Sequence, residues 1–584
     1  MNMPHYRQRF ADSHRPGSTL DRWAHTQLSP YTRGVSTASL RMAFDDWVTH
    51  LSMNPAEQLK LLQLAMQNVQ HGLNYAVQAQ RNDCKPCIEP MVHDTRFTHP
   101  GWQHWPFNAI SQSFLLTQQW WQEATTGVRG VSPHHEAVVN FTARQCLDMV
   151  SPANFVLTNP EVLERTQKTM GANLRQGFQN WLEDIQRYQS GAAPKGSELY
   201  EVGRNLAVTP GQVIYRNHLI ELIQYTPTTG QVRPEPVLIV PAWIMKYYIL
   251  DLSPNNSLIK YLVDQGHTVF AMSWTNPTAD DRDLDMDDYL RMGVMDALEV
   301  VCAVVPRHKV HAVGYCLGGT LLAIAAAAMA RDADDRLASM TLIAAQTDFT
   351  EPGELELFID DSQVAHLEDI MWDRGYLDSA QMAGAFQWMN SNDLIWSRLL
   401  KDYLLGERTP FSDLMAWNAD GTRLPYRMHT EYLHRMFLKN DLASGRYPVN
   451  GKPVALTDIQ CPIYGIGTVR DHVAPWRSVH KLHLLTNVDT TFLLTSGGHN
   501  VGIVNPPGIP GRSYQVLTRR HDGPYLDPEA WLQAAVHHEG SWWPHWLAWL
   551  QAHSGEMGPL PVMGAPDMGL SPLGDAPGRY VLQK

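Results

Sequence analysis

Cysteine is scarce: six residues among 584, at positions 84, 87, 146, 302, 316 and 461. So few, so scattered, do not make a disulfide framework. Cys84 and Cys87 form a CxxC pair, but no second CxxC or nearby histidine pair completes a metal site, so the pair is expected to be incidental and no metal is expected. Long apolar runs are lacking as well. The longest follows Cys316 and is too short to span a bilayer, which predicts no transmembrane segment. Residues 1–17 carry charge and no apolar core, unlike a signal peptide. Basic charge is in deficit, 46 Lys and Arg against 59 Asp and Glu, a formal net charge of −13. That argues against a nucleic-acid partner, although a local cluster of Lys and Arg could still hold a polyanionic small molecule. There are no internal repeats. These absences point to a cytoplasmic, soluble protein.

What is present is a globular balance of 44% hydrophobic and 18% charged residues, enough chain for more than one folding unit. Residues 1–200 read as a helical N-terminal domain. "SLRMAFDDWVTHL", "NPAEQLKLLQLAMQNVQHGL" and "FNAISQSFLLTQQWWQEAT" carry apolar residues at helical spacing, expected to be helix–helix core. Residues 201–555 change texture. Eight strand-like runs, from "GQVIYRN" and "IELIQYT" to "CPIYGIGT" and "TTFLLTS", begin as a hairpin and then alternate with helical stretches. This order predicts an α/β fold with a mostly parallel sheet. Residues 350–455, rich in Trp, Met, Leu and Tyr (Trp372, Trp388, Met389, Trp396, Trp417), exceed any ordinary connection and read as an inserted helical cap. Residues 556–584 are Pro/Gly-rich and expected to be extended.

Chemistry concentrates in "KVHAVGYCLGGTLLAIAAAAMA". A strand runs into Gly314-Tyr315-Cys316-Leu317-Gly318 and a helix follows, the layout of the G-x-S-x-G elbow of α/β-hydrolases with cysteine in place of serine. Gly314 and Gly318 suit the strained turn, and Gly319 suits close helix packing. Asp471 follows the strand-like "CPIYGIGTVR" and His499 follows "TTFLLTSGG", so nucleophile, acid and histidine come in the order this architecture requires. His499 would take the proton of Cys316, because the thiolate is the reactive form. Asp471 would hold the imidazole tautomer. The N–H of Leu317 is one expected oxyanion donor, and a second is expected near Trp243 or Ile244, after "VLIVPAW". Asp348 also follows a strand and is a rival acid, with Asp471 favoured. His472 reads as solvated; His267 and His308 read as structural.

The chain is identified as resembling the single-chain polyhydroxyalkanoate synthases, from about residue 90 to 515. The resemblance rests on "DTRFTHPGW", "GRNLAVTPGQVIYRNHLIELIQY", "PAWIMKYYILDLSPNNSLIKYLVDQGHTVFAMSW", "GYCLGGTLL", "SNDLIW", "AWNADGTRLP", "DHVAPW" and "GIVNPPG". It implies that Cys316 carries the acyl group, with His499 as base and Asp471 as its partner. The implied substrate is a 3-hydroxyacyl-CoA, with no separate cofactor. The implied partners are the growing polyester chain, a granule surface and a second copy of the chain in a homodimer. Met245, Thr275 and Asn500 depart from the usual pattern, as in a divergent branch. Transfer from CoA sulfur to cysteine sulfur exchanges one thioester for another and keeps the acyl group activated. Either His499 or Asp471 could then activate the attacking hydroxyl. Two other readings stand beside this one: a thioesterase or polyester depolymerase using the same three residues, and a non-catalytic granule scaffold.

Overall fold

The computed structural model describes residues 19–32, 34–80, 85–91, 94–379, 381, 382, 384, 389 and 391–584. The readings of residues 1–17, Cys84 and Trp388 lie outside the described residues. The chain forms two compact units, one of 35–197 with 384–411, the other of 198–383 and 412–584 together with the residues up to 34.

The first unit is helical, built on α1 (Thr37–Met53), α2 (Pro55–Ala79), α3 (Phe107–Thr125), α4 (Pro133–Met149) and α5 (Ala172–Gln189). Helix starts carry the expected chemistry: Ser36 and Ser132 cap α1 and α4 by accepting the N–H of Ser39 and His135, and Pro55 and Pro133 open α2 and α4. Phe97, Trp102, Phe114 and Leu147 form a small core. Trp120 and Asn68 tie α2 to α3 through the carbonyls of Leu61 and Leu116. The apolar periodicity of α2 is divided in its use. Leu61, Tyr75 and Ala79 turn inward. Leu59, Leu62, Met66, Val69, Leu73 and Val77 are each more than half exposed, so this row is not the helix–helix core its spacing suggests.

The second unit is an eleven-stranded sheet: β1 (Gly211–Arg216), β2 (Ile220–Tyr225), β3 (Val237–Val240), β4 (Val269–Trp274), β5 (Val310–Tyr315), β6 (Leu337–Ile343), β7 (Ile463–Arg470), β8 (Thr490–Gly498), β9 (Ser513–Arg519), β10 (Val536–Glu539) and β11 (Gly574–Asp575). Their spatial order is β10-β9-β8-β7-β6-β5-β3-β4-β2-β1-β11. Strands β4, β3, β5, β6, β7 and β8 pair in parallel, while β1–β2, β2–β4 and the β8–β9–β10 edge are antiparallel. Every residue of β3, β4 and β5 is buried, as expected of parallel strands covered on both faces. All eight strands read from the sequence are present. The other three have exposed or polar stretches or, in β11, only two residues, too short for a period-2 signal.

Helix α6 (Leu317–Arg331) follows β5 and is buried along nearly its whole length, its alanines allowing close approach to the sheet. The insert between β6 and β7 does not stay together: 384–411 belongs to the helical unit and the rest to the sheet unit. The expected apolar run is divided: Trp417 and Met389 are buried and Trp396 half-buried. Trp372, partly exposed, lies under the guanidinium groups of Arg22 and Arg282. The C-terminal tail is extended but anchored, β11 pairing antiparallel with β1.

Candidate active site

Cys316 is the first residue after β5 and the N-cap of α6. Its φ of 51° and ψ of −124° are a strained backbone for a residue with a side chain, and the strain lifts the sulfur above the sheet. Close packing enforces the turn. A Cβ on Gly314 would come within 2.3 Å of the Gly319 Cα, and one on Gly318 within 2.2 Å of the Val240 carbonyl oxygen. The Cys316 N–H is held by the Ile343 carbonyl at 2.8 Å. Leu317 begins α6, where its N–H has no acceptor within the helix and the positive end of the helix dipole lies beside the sulfur.

Asp471 is the first residue after β7 and His499 the first after β8. The Asp471 side chain is fully buried. Its Oδ1 accepts the N–H groups of Val473 and Ala474 at 2.9 and 2.8 Å, and its Oδ2 accepts the Thr468 hydroxyl at 3.0 Å and His499 Nδ1 at 2.8 Å. With Nδ1 so engaged, Nε2 is the ring nitrogen left for the Cys316 thiol, which lies close enough to act on the charge of the imidazole. Burial opposes the charged imidazole, but the Asp471 carboxylate and then Cys316 outweigh it and hold His499 well above its ordinary range. The structure thus brings Cys316, His499 and Asp471 together, with the imidazole hydrogen-bonded to the carboxylate and close to the thiol.

The rival acid is elsewhere engaged. Asp348 accepts the Thr350 N–H at 2.8 Å and the Asn440 amide at 3.3 Å and faces Lys481 at 3.7 Å, a brace for the start of the insert. His472 and His308 are exposed, and His267 is buried, its charged form disfavoured so that it titrates at about 4. Ile244 lies in the loop after β3, and that loop starts against the elbow, where Gly318 packs on the carbonyls of Val240 and Pro241. Thr422 fixes this loop, its hydroxyl meeting the carbonyls of Trp243 and Ile244.

Two further residues define the site and carried no sequence signal. Tyr315 packs its ring 5.7 Å from that of His499 and donates its hydroxyl to Asn500 at 2.8 Å. Tyr432, whose hydroxyl burial and then the neighbouring Cys316 keep well above the usual tyrosine range, packs against Trp243. Each departure from the family pattern has a local partner: Asn500 meets Tyr315, Thr275 meets the Gln583 side chain, and the backbone of Met245 bridges that of Gly421. Among the described residues no group of three or more His, Cys, Asp or Glu is placed to hold a metal, and no helix is long and apolar enough to cross a membrane.

A cysteine at a strained strand–helix turn, backed by histidine and aspartate from the next two strand ends, defines an α/β-hydrolase-fold protein, and residues 235–506 match the family model described as alpha/beta hydrolase fold. Residues 93–262 match the model of the poly-beta-hydroxybutyrate polymerase (PhaC) N-terminus, and residues 15–56 that of the poly-beta-hydroxybutyrate polymerase N terminal. The poly(3-hydroxyalkanoate) polymerase of Methylorubrum extorquens is 40% identical over 86% of this chain and 82% of its own. The PhaC subunits of Rhizobium meliloti (strain 1021) and Cupriavidus necator are 38% and 35% identical, each over 84% of this chain and over 79% and 84% of their own. The chain belongs to the poly(3-hydroxyalkanoate) polymerase family.

Proposed function

We propose that the protein joins (R)-3-hydroxyacyl-CoA thioesters into polyhydroxyalkanoate and releases CoA, through an acyl group carried on Cys316. The observation that carries this reading is the line from the Cys316 sulfur through His499 to a fully buried Asp471, in a chain of the polymerase family. The Cys316 thiolate attacks the thioester carbonyl, with its oxygen facing the N–H of Leu317 and one from the Ile244 loop. The intermediate collapses to the Cys316 thioester as CoA sulfur leaves with the proton that His499 holds. The hydroxyl of another hydroxyacyl unit then attacks this thioester, making the ester bond and lengthening the chain. His499 is the group that takes the hydroxyl proton. Both oxygens of Asp471 are already engaged by two N–H groups, a hydroxyl and the imidazole, which leaves it the role of holding the ring. No cofactor beyond the CoA substrate enters, and the protein works at the surface of the polyester it extends.

The test is incubation with 3-hydroxybutyryl-CoA, measuring CoA release and polymer together in the wild type and in Cys316→Ala, Cys302→Ala and Cys461→Ala. Loss of both products in Cys316→Ala alone is the expected result. Burial pushes the Cys461 thiol up to about 12 and raises that of Cys302, so both are inert controls. Equal loss at either control would sink the assignment. Free hydroxy acid without polymer would make the protein a thioesterase instead.

A further inference from the structure

The last residues of the chain reach the loop behind the elbow. Gln583 Oε1 accepts the Thr275 hydroxyl at 3.0 Å and the Asn276 N–H at 2.6 Å. Its main-chain oxygen accepts the Lys246 ammonium at 2.7 Å. Lys246 is 4% exposed and lies two residues beyond Ile244. Its ammonium also reaches the Tyr580 carbonyl at 3.5 Å. Burial pulls Lys246 down to about 8, with Asp420 acting to raise it and Lys584 and Arg423 to lower it. Both acceptors are main-chain carbonyls, so the ammonium ties the loop after β3 to the backbone of the tail, independently of the Gln583 side chain. The same grip extends to the neighbouring segment, where Arg423 donates its N–H to the Asn276 side chain at 2.9 Å and its guanidinium to the Lys584 main-chain oxygen at 2.8 Å. Thr422, next in line, holds the Trp243 carbonyl at 2.6 Å.

The tail's approach does not depend on Gln583. The N–H groups of Arg579 and Tyr580 bind the buried Glu221 at 2.8 and 2.9 Å, the Tyr580 hydroxyl meets the Asn217 carbonyl, and Val581 is buried. A side-chain change at 583 therefore frees Thr275 and Asn276 and leaves the tail, with its carbonyls to Lys246, in place.

We propose that Gln583 is a positioning residue of the reaction. Its side chain holds Thr275 and the Asn276 N–H just past β4. Through the Asn276 side chain on the Arg423 N–H, and the adjoining Thr422 hydroxyl on the Trp243 and Ile244 carbonyls, it keeps the loop after β3 in the shape that presents a backbone N–H to the substrate carbonyl oxygen. This rests on the reading of Cys316 as the acylated residue.

The experiment compares the full-length wild type with Gln583→Ala, Gln583→Glu and Cys316→Ala. It measures kcat and KM for CoA release from 3-hydroxybutyryl-CoA, the rate of Cys316 alkylation by iodoacetamide (read by peptide mass) and Tm. Alkylation needs the thiolate and access but no oxyanion donor, so it separates the loop's role from general damage. Gln583→Ala should lose about 10- to 100-fold in kcat, the scale of a misplaced donor. KM and alkylation should stay within about twofold on the same argument. Gln583→Glu keeps an acceptor for both N–H and hydroxyl and should recover most of the loss. The proposal is overturned if Gln583→Ala keeps its kcat, if alkylation or Tm falls in step with kcat, or if Gln583→Glu gives no recovery. CoA release by Cys316→Ala would instead remove the reading beneath it.

Discussion

At the scale of single residues the site is a matter of which hydrogen bonds each side chain can spare. Asp471 has none left, which makes Asp471→Asn a clean test. The amide oxygen can still accept the Val473 and Ala474 N–H groups, so the fold and Tm should change little. The imidazole, however, loses the acceptor that fixes its tautomer and the charge that keeps it protonated. Turnover should drop on the order of 10³–10⁴-fold. Asp348→Asn, which weakens the Lys481, Thr350 and Asn440 contacts and touches none of the three residues, should keep most turnover; the reverse outcome in a steady-state CoA assay would move the acid to β6. Cys316, Asp471 and His499 were legible because each stands one residue past a strand and the chain order is diagnostic. Tyr315 and Tyr432 were not. An aromatic beside an elbow reads as core, and its part in the site appears only when β8 and the insert are folded against it.

At the scale of elements the elbow and the insert respond to different forces. Gly318 has no room for even one carbon, with the Val240 and Pro241 carbonyl oxygens at 2.2 and 2.5 Å from an added Cβ. Backbone cannot step aside as a side chain can. Gly318→Ala should cost about 3 kcal/mol or more and displace the Ile244 loop, read as a lower Tm and lost CoA release. The insert helix beginning at Tyr426 carries Glu431, buried near Asp285 and Asp287 and pushed up to about 7 by burial first and those carboxylates next. The fold thus favours its protonated form. That contribution is complete below about 4.5, the unfolded value, and is lost as pH rises through about 7. Glu431→Gln should remove this slope, so its Tm should gain on the wild type between pH 5.5 and 8.5, by up to ~3 kcal/mol in stability. A gap that stays constant with pH would mean Arg435, 3.0 Å away, compensates the charge in full. Here the sequence was less informative. The apolar period of α2 announced a helix without saying which face the protein would cover, because Leu61 and Leu62 differ in partner and not in chemistry. The tail's Pro/Gly content announced extension and concealed the short β11, whose pairing with β1 is made by backbone alone.

At the scale of the whole molecule the question is access to Cys316. Cys316 is half-buried, with Tyr432 of the insert nearby and Trp243 of the β3 loop packed on that tyrosine. On the proposed reaction, exclusion of water protects the acyl-cysteine from hydrolysis, while the growing polyester needs a way out. If closure is the resting state, a growing chain that occupies the exit holds the site open, and the first turnovers are the slowest. Progress curves of CoA release should therefore begin with a lag that an oligomeric hydroxyacid primer shortens. Self-association gives a second handle. Should two copies stabilise the open form, mass action makes the lag fall as protein concentration rises, and a tenfold range of concentration is enough to see it. Running both series on one preparation separates the causes: a primer effect without a concentration effect locates opening within one chain, and a concentration effect abolished by primer makes the dimer and the polymer alternative routes to one open state. A curve linear from the first seconds, at every concentration and with no primer, would mean that Cys316 is already reachable and that neighbours such as Trp243 and Tyr432 shape the site without closing it.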